Sequence, residues 1–171
     1  MKAPSVFCSV AIALTLTGGI LAQARSVYTS TRTEQCRTIE SNPNEAGSYI
    51  GECRGVGGYR VQLLEGDIRQ TLNIITPARK KFELNFWQIY SGFSSIGEKI
   101  EWRVKAGVPV ALIARYNVAD PENSAKSTSY LLVSKIGRRS SCVTDVVKPS
   151  ADQNLTARKL ADAAADKPCM Q

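Results

Sequence analysis

Glu101-Trp102-Arg103 is the trio in this sequence best placed for chemistry. Ile100, Trp102 and Val104 alternate with Lys99, Glu101, Arg103 and Lys105, the period of a half-buried strand. Trp102 is therefore expected to point into a core, with Glu101 and Arg103 pointing out together on a solvated face. A carboxylate there, or at Glu65, Asp67 or Glu98, is the raw material of a glycosidase, but that reaction needs two carboxylates at a set separation. The solvated face is the plainer reading. Histidine is absent, which excludes a Ser-His-Asp triad, a Cys-His dyad and any His-ligated metal. No serine lies in an S-x-x-K or G-x-S-x-G context. Gly55-Val56-Gly57-Gly58 offers backbone N–H groups to an anion, yet it leads into a strand and not a helix. It reads as a tight turn or bulge beside Cys53. No catalytic residue, metal or cofactor is assigned.

Cations are the remaining candidates. Arg60, Arg69, Arg103, Arg115, Lys135, Arg138 and Arg139 can gather on a basic face. Such a face would attract an anionic component of the cell envelope or an acidic protein. The whole chain has 22 Lys+Arg against 15 Asp+Glu, a net of +7.

The compartment follows from the N-terminus and the cysteines. Residues 1–24 read as a secretory signal peptide: Lys2, an uncharged and largely apolar Val6–Leu21, and an Ala22-Gln23-Ala24 cleavage site. The apolar stretch is broken by Thr15, Thr17, Gly18 and Gly19, which argues against a membrane anchor. Cleavage after Ala24 leaves 21 basic and 15 acidic side chains, a net of +6. It also leaves Cys36, Cys53, Cys142 and Cys169. An even count in an exported chain points to disulfides. Cys36–Cys53 and Cys142–Cys169 are the favoured pairs, because each closes a local loop. No two of the four have zinc-ligand or C-x-x-C spacing. The location is periplasmic or extracellular, which disfavours nucleic acid as a partner.

The elements that hold these residues alternate like a sheet protein. Tyr59, Val61 and Leu63 share a face. Glu65-Gly66-Asp67 is a turn, and Ile68, Gln70, Leu72 and Ile74 run on beyond it. Phe82, Leu84 and Phe86 alternate again, Ser91–Gly97 is a loop, and Ala106–Pro109 turns the strand that carries Trp102. Val110–Tyr116, Tyr130–Ile136 and Cys142–Val147 are further strands, with Asn117–Ser127 a loop. The end is helical over 151–166. Ser150 and Gln153 fit a capping box. Ala157, Leu160, Ala161 and Ala164 make an apolar stripe. Arg158 and Asp162 can pair at i, i+4 on the wet face. A stripe of alanines buries little, so the disulfide is expected to hold this helix. The fold class is mainly β: a compact antiparallel barrel or sandwich with a C-terminal α-helix, disulfide-stapled, in a single domain over 25–171.

Tyr28-Thr29-Ser30 before Cys36, then Cys53–Val61, Glu65–Arg69, Glu101–Arg103, Pro109–Arg115, the Cys142 strand, and Asn154–Arg158 with Leu160–Asp162 before Cys169, in that order, resemble a family of small uncharacterised exported proteins of proteobacteria. The resemblance implies export and small size and carries over no activity. The expected function is a small exported binding module of the cell envelope, for an anionic partner. The alternatives are a carboxylate-dependent hydrolase of envelope glycans and a structural envelope protein. Neither a nucleic-acid partner nor a transmembrane anchor is expected.

Overall fold

A computed structural model describes residues 23–44 and 47–170. Most of the expected signal peptide, residues 1–22 with Cys8, lies outside the described residues. Ten strands run β1 (Arg25–Ser30), β2 (Arg37–Asn42), β3 (Ser48–Arg54), β4 (Arg60–Gly66), β5 (Arg69–Ile75), β6 (Lys81–Glu83), β7 (Ser94–Lys105), β8 (Val108–Ala119), β9 (Ser127–Lys135) and β10 (Cys142–Val147). A one-turn helix α1 (Phe86–Ile89) follows β6, and α2 (Gln153–Asp162) ends in a 3-10 turn, Ala164–Asp166. Among the described residues, no helix is long and apolar enough to cross a membrane.

The strands form one sheet in the order β10-β9-β8-β7-β5-β4-β3-β2, with β1 on β7 and β6 on β5. Every pairing is antiparallel except the Arg69–Ser94 bridge from β5 to β7. That bridge is a fold line. Val61, Leu63, Leu72 and Ile74 from one half meet Ile100, Trp102, Leu112, Ala114, Tyr116 and Leu132 from the other, and all are buried. Burying one such aliphatic side chain is worth about 1.5–3 kcal/mol, so this face holds the two halves together. Trp102 is fully buried, and its indole N–H donates to Thr29 Oγ1 at 2.8 Å. The mainly β fold with a C-terminal helix is as expected, but the sheet is folded over and not closed, so barrel and sandwich both fit loosely. Both disulfides pair as expected, Cys36–Cys53 and Cys142–Cys169.

Several boundaries differ from the sequence reading. The alternation at Phe82–Phe86 is not one strand: β6 stops at Glu83, and Asn85 turns the chain at φ 48°. Asparagine tolerates that left-handed conformation, and the turn lets Phe86 reach the core edge-on to Tyr116, 5.4 Å between ring centroids. The expected loop Ser91–Gly97 ends early, because β7 begins at Ser94 and buries Ile96. The β4–β5 turn is Asp67-Ile68, at φ 54° and 57°, with Gly66 paired to Arg69. A type I′ two-residue hairpin turn needs positive φ at both central positions, and here two non-glycine residues supply it.

The C-terminal helix is shorter than 151–166, and its capping box does not form. Gln153 turns under the helix and donates to the carbonyls of Ser129 at 2.9 Å and Val147 at 3.1 Å. Ser150 Oγ donates to Asp152 instead. Satisfying two buried strand carbonyls outweighs one solvated cap. Ala157, Ala161 and Ala164 do face the sheet, packed on Ala111, Ile113, Leu131, Val133 and Val147.

Candidate anion-binding site

The Glu101-Trp102-Arg103 trio is not on a solvated face. Glu101 and Arg103 do project together from β7, but both are 7% exposed, because α2 lies over them. Arg158 and Asp162 do not pair along the helix either. The Arg158 Nε–H donates to Glu101 at 2.7 Å. Arg103 presents a two-pronged fork to Asp162 at 2.7 and 2.8 Å. Four residues of helix rise about 6 Å and two residues of strand about 6.6 Å, so the i, i+4 pair on α2 falls in register with the i, i+2 pair on β7. Ser26 and Tyr28 of β1 add hydroxyl hydrogen bonds to Glu101. Burial pushes the Glu101 carboxyl up, but the hydrogen bonds and charge of Arg158, with Ser26 and Tyr28, outweigh burial and hold it below the usual range. The same pairing raises the Arg158 guanidinium further. Glu101 is thus an ionised, fully engaged structural group. The other candidate carboxylates are also engaged: Glu65 by Gln70, Asp67 by Arg69 and Glu98 by Arg32.

The seven cations singled out from the sequence do not gather. Arg103 is buried under α2. Arg115 lies on the same face and donates to Ser129 Oγ at 2.8 Å and Gln153 Oε1 at 3.3 Å. Lys135 donates to the Lys167 carbonyl at 2.7 Å and helps anchor the chain end. Arg69 stands at the opposite end of the sheet, paired with Asp67 at 2.5 Å. Arg60, Arg138 and Arg139 share the near end.

That near end is where the charge collects. The turns 54–60, 76–81, 105–108 and 137–141 carry Arg54, Arg60, Arg79, Lys80, Lys81, Lys105, Arg138 and Arg139, all exposed, and not one aspartate or glutamate. The turns adjoin one another. A methyl group on Gly57 would stand 3.1 Å from Pro109, and one on Gly58 3.3 Å from Pro77. Lys80 Nζ donates to the Arg139 carbonyl at 3.4 Å. Gly57 and Gly58 sit at φ 61° and 81°, so the glycine run is a tight turn, as expected, and packs between its two neighbours. Nearby carboxylates offset part of this charge: Lys81 pairs with Glu83 at 3.1 Å, and Glu52 serves Arg37 and Arg60. The far end carries mixed charge, with Asp67, Asp120 and Glu122 against Arg69 and Lys126.

Beside the Cys36–Cys53 disulfide, the basic end opens into a groove of about 600 Å³ lined by Glu34, Arg37, Glu52, Arg54 and Arg60, among others. The Glu52 side chain is 8% exposed. Its Oε1 accepts from Arg60 at 2.5 Å and Arg37 at 3.1 Å. The Arg60 hydrogen bond is the main cause that holds Glu52 below the usual carboxylate range, with burial opposing and Arg37 assisting. Sequence reasoning missed Arg37, Arg54, Arg79, Lys80, Lys81 and Lys105. No family model matches the chain, and no curated protein or solved structure matches it.

Proposed function

We propose that this chain is a small exported module that binds an anionic partner of the cell envelope through the basic end of its sheet. One observation carries the reading: eight exposed cations and no carboxylate in four adjoining turns. A concentrated field of one sign raises the encounter rate with an oppositely charged partner, and the pull weakens as salt rises. Two disulfides favour an oxidising compartment, which supports export. The engagement of Glu65, Asp67, Glu98 and Glu101 by neighbouring side chains favours binding over carboxylate catalysis.

The test is retention of envelope components on the immobilised protein, eluted by a salt gradient. A discrete component released at moderate salt, and not retained by an Arg138→Gln/Arg139→Gln variant, is the expected result. Equal retention by that variant, or release that ignores salt, would overturn the reading.

A further inference from the structure

The outer face of β2, β3 and β4 sets two like charges against each other. Arg54 and Arg60 stand directly opposite each other on β3 and β4, and like charges in that position repel. Arg37 stands opposite Glu52 on the same face. Glu52 is the one carboxylate among these four, and it serves Arg37 and Arg60 through a single oxygen. Among the described residues Arg54 forms no ion pair. Arg37, Arg54 and Arg60 all line the groove, and apart from the two bonds to Glu52 no side-chain partner engages them among the described residues. Glu34, exposed on the rim, is the other carboxylate there. The Cys36–Cys53 bridge is flanked in sequence by Arg37, Glu52 and Arg54, so the covalent staple fixes the strands that present them.

We propose that this groove binds a phosphoryl group, from a soluble phosphate ester or a lipid headgroup. The proposal deepens the basic-end reading and rests on it for the partner's charge. The three arginines come from three neighbouring strands, so three separate guanidinium groups line one groove. A tetrahedral phosphoryl group has an oxygen for each, whereas a planar carboxylate has two oxygens in one plane. Guanidinium forks suit phosphate oxygens, and a bound anion would relieve the Arg54–Arg60 repulsion.

The experiment is thermal unfolding of the purified protein in inorganic phosphate, in acetate and in chloride, at equal ionic strength. Wild type should melt about 3 °C or more higher in phosphate than in chloride once phosphate exceeds its Kd roughly tenfold. Acetate should give less than half that shift. Arg54→Gln should melt at or above wild type in chloride, because the repulsion is gone, and should lose the phosphate shift. Arg37→Gln should lose it too. A wild-type protein indifferent to phosphate, an acetate shift as large, or an Arg54→Gln variant that keeps the full shift would overturn the proposal. Lys126→Gln/Lys148→Gln should keep the phosphate shift. Loss of envelope retention in Arg138→Gln/Arg139→Gln with no phosphate shift in wild type would refute the groove and leave the basic-end reading standing. The opposite pattern would refute the basic-end reading. Sedimentation with phosphatidylcholine vesicles, with and without phosphatidic acid, whose monoester headgroup carries three terminal oxygens, separates the two sources. Phosphate-competed sedimentation with phosphatidic acid marks a lipid headgroup, and its absence alongside a phosphate shift marks a soluble ester.

Discussion

Asp162→Asn removes the carboxylate that meets the Arg103 fork while keeping the side chain's size. In the folded protein Arg103 is 7% exposed. Its remaining partners would be the neutral amide oxygen of the new side chain, Ser26 Oγ, the Ala24 carbonyl at 2.9 Å and Glu101 at 3.7 Å. Removing one member of a buried ion pair costs about 3–5 kcal/mol. The Asp162 side chain is 40% exposed, so water recovers part of that, and we expect a loss of about 2 kcal/mol. Had Asp162 paired with Arg158 along the helix surface, the loss would be only about 0.2–0.5 kcal/mol. Urea unfolding separates the two, and the larger value corresponds to a fall in Tm of about 4–8 °C. A double-mutant cycle with Arg103→Met should give a coupling energy above about 1 kcal/mol. A loss under about 0.5 kcal/mol with no coupling to Arg103 would refute the claim that α2 is fastened to β7 by interlocked charges.

The Glu101 and Glu52 carboxyls lie below their ordinary value of 4.5 in the folded protein. Their contribution to stability is therefore complete above about pH 4.5 and is lost as pH falls through the depressed folded values. Urea midpoints at pH 7, 5 and 3 should show the drop, and Glu101→Gln should flatten it from an already lower plateau. Replacing Cys142 and Cys169 together by serine opens a closed loop of 27 residues' separation. The cost should be about 3–4 kcal/mol by chain entropy, with amide exchange accelerating first in α2. Ile68 holds a left-handed conformation in the hairpin and is 62% exposed. Ile68→Gly should therefore stabilise by about 1 kcal/mol, read as a higher urea midpoint.

The core and the disulfides were legible because both leave local marks. The alternation of Ile100, Trp102 and Val104 fixed which face of β7 is apolar. It could not tell what covers the other face, since α2 arrives there from some 50 residues later in sequence. Strand β2 is mostly exposed along both faces, so it carries no apolar alternation by which to find it. The basic end did leave a mark that a residue list overlooks. In an antiparallel meander every second turn returns to the same end. Read that way, Arg54–Arg60, Thr76–Lys81, Lys105–Val108 and Gly137–Ser141 fall together, while Asp67-Ile68 and the turn with Asp120 and Glu122 fall at the other end. Gathering cations by residue type, without that alternation, mixed Arg60, Arg138 and Arg139 with Arg103 and Arg115, which belong to the helix-covered face.

The most direct test of the account holds net charge fixed and moves only its location. One variant neutralises Arg79, Lys80, Arg138 and Arg139 to glutamine. The other neutralises the equally exposed Lys99, Lys126, Lys148 and Lys159. Affinity for the retained envelope component is measured for both across a salt series. The account predicts that the first variant loses at least about tenfold in affinity at low salt and shows a shallower salt dependence, while the second stays within about twofold of wild type. Equal losses in the two variants would mean that net charge alone governs binding, and would contradict a site at the basic end of the sheet.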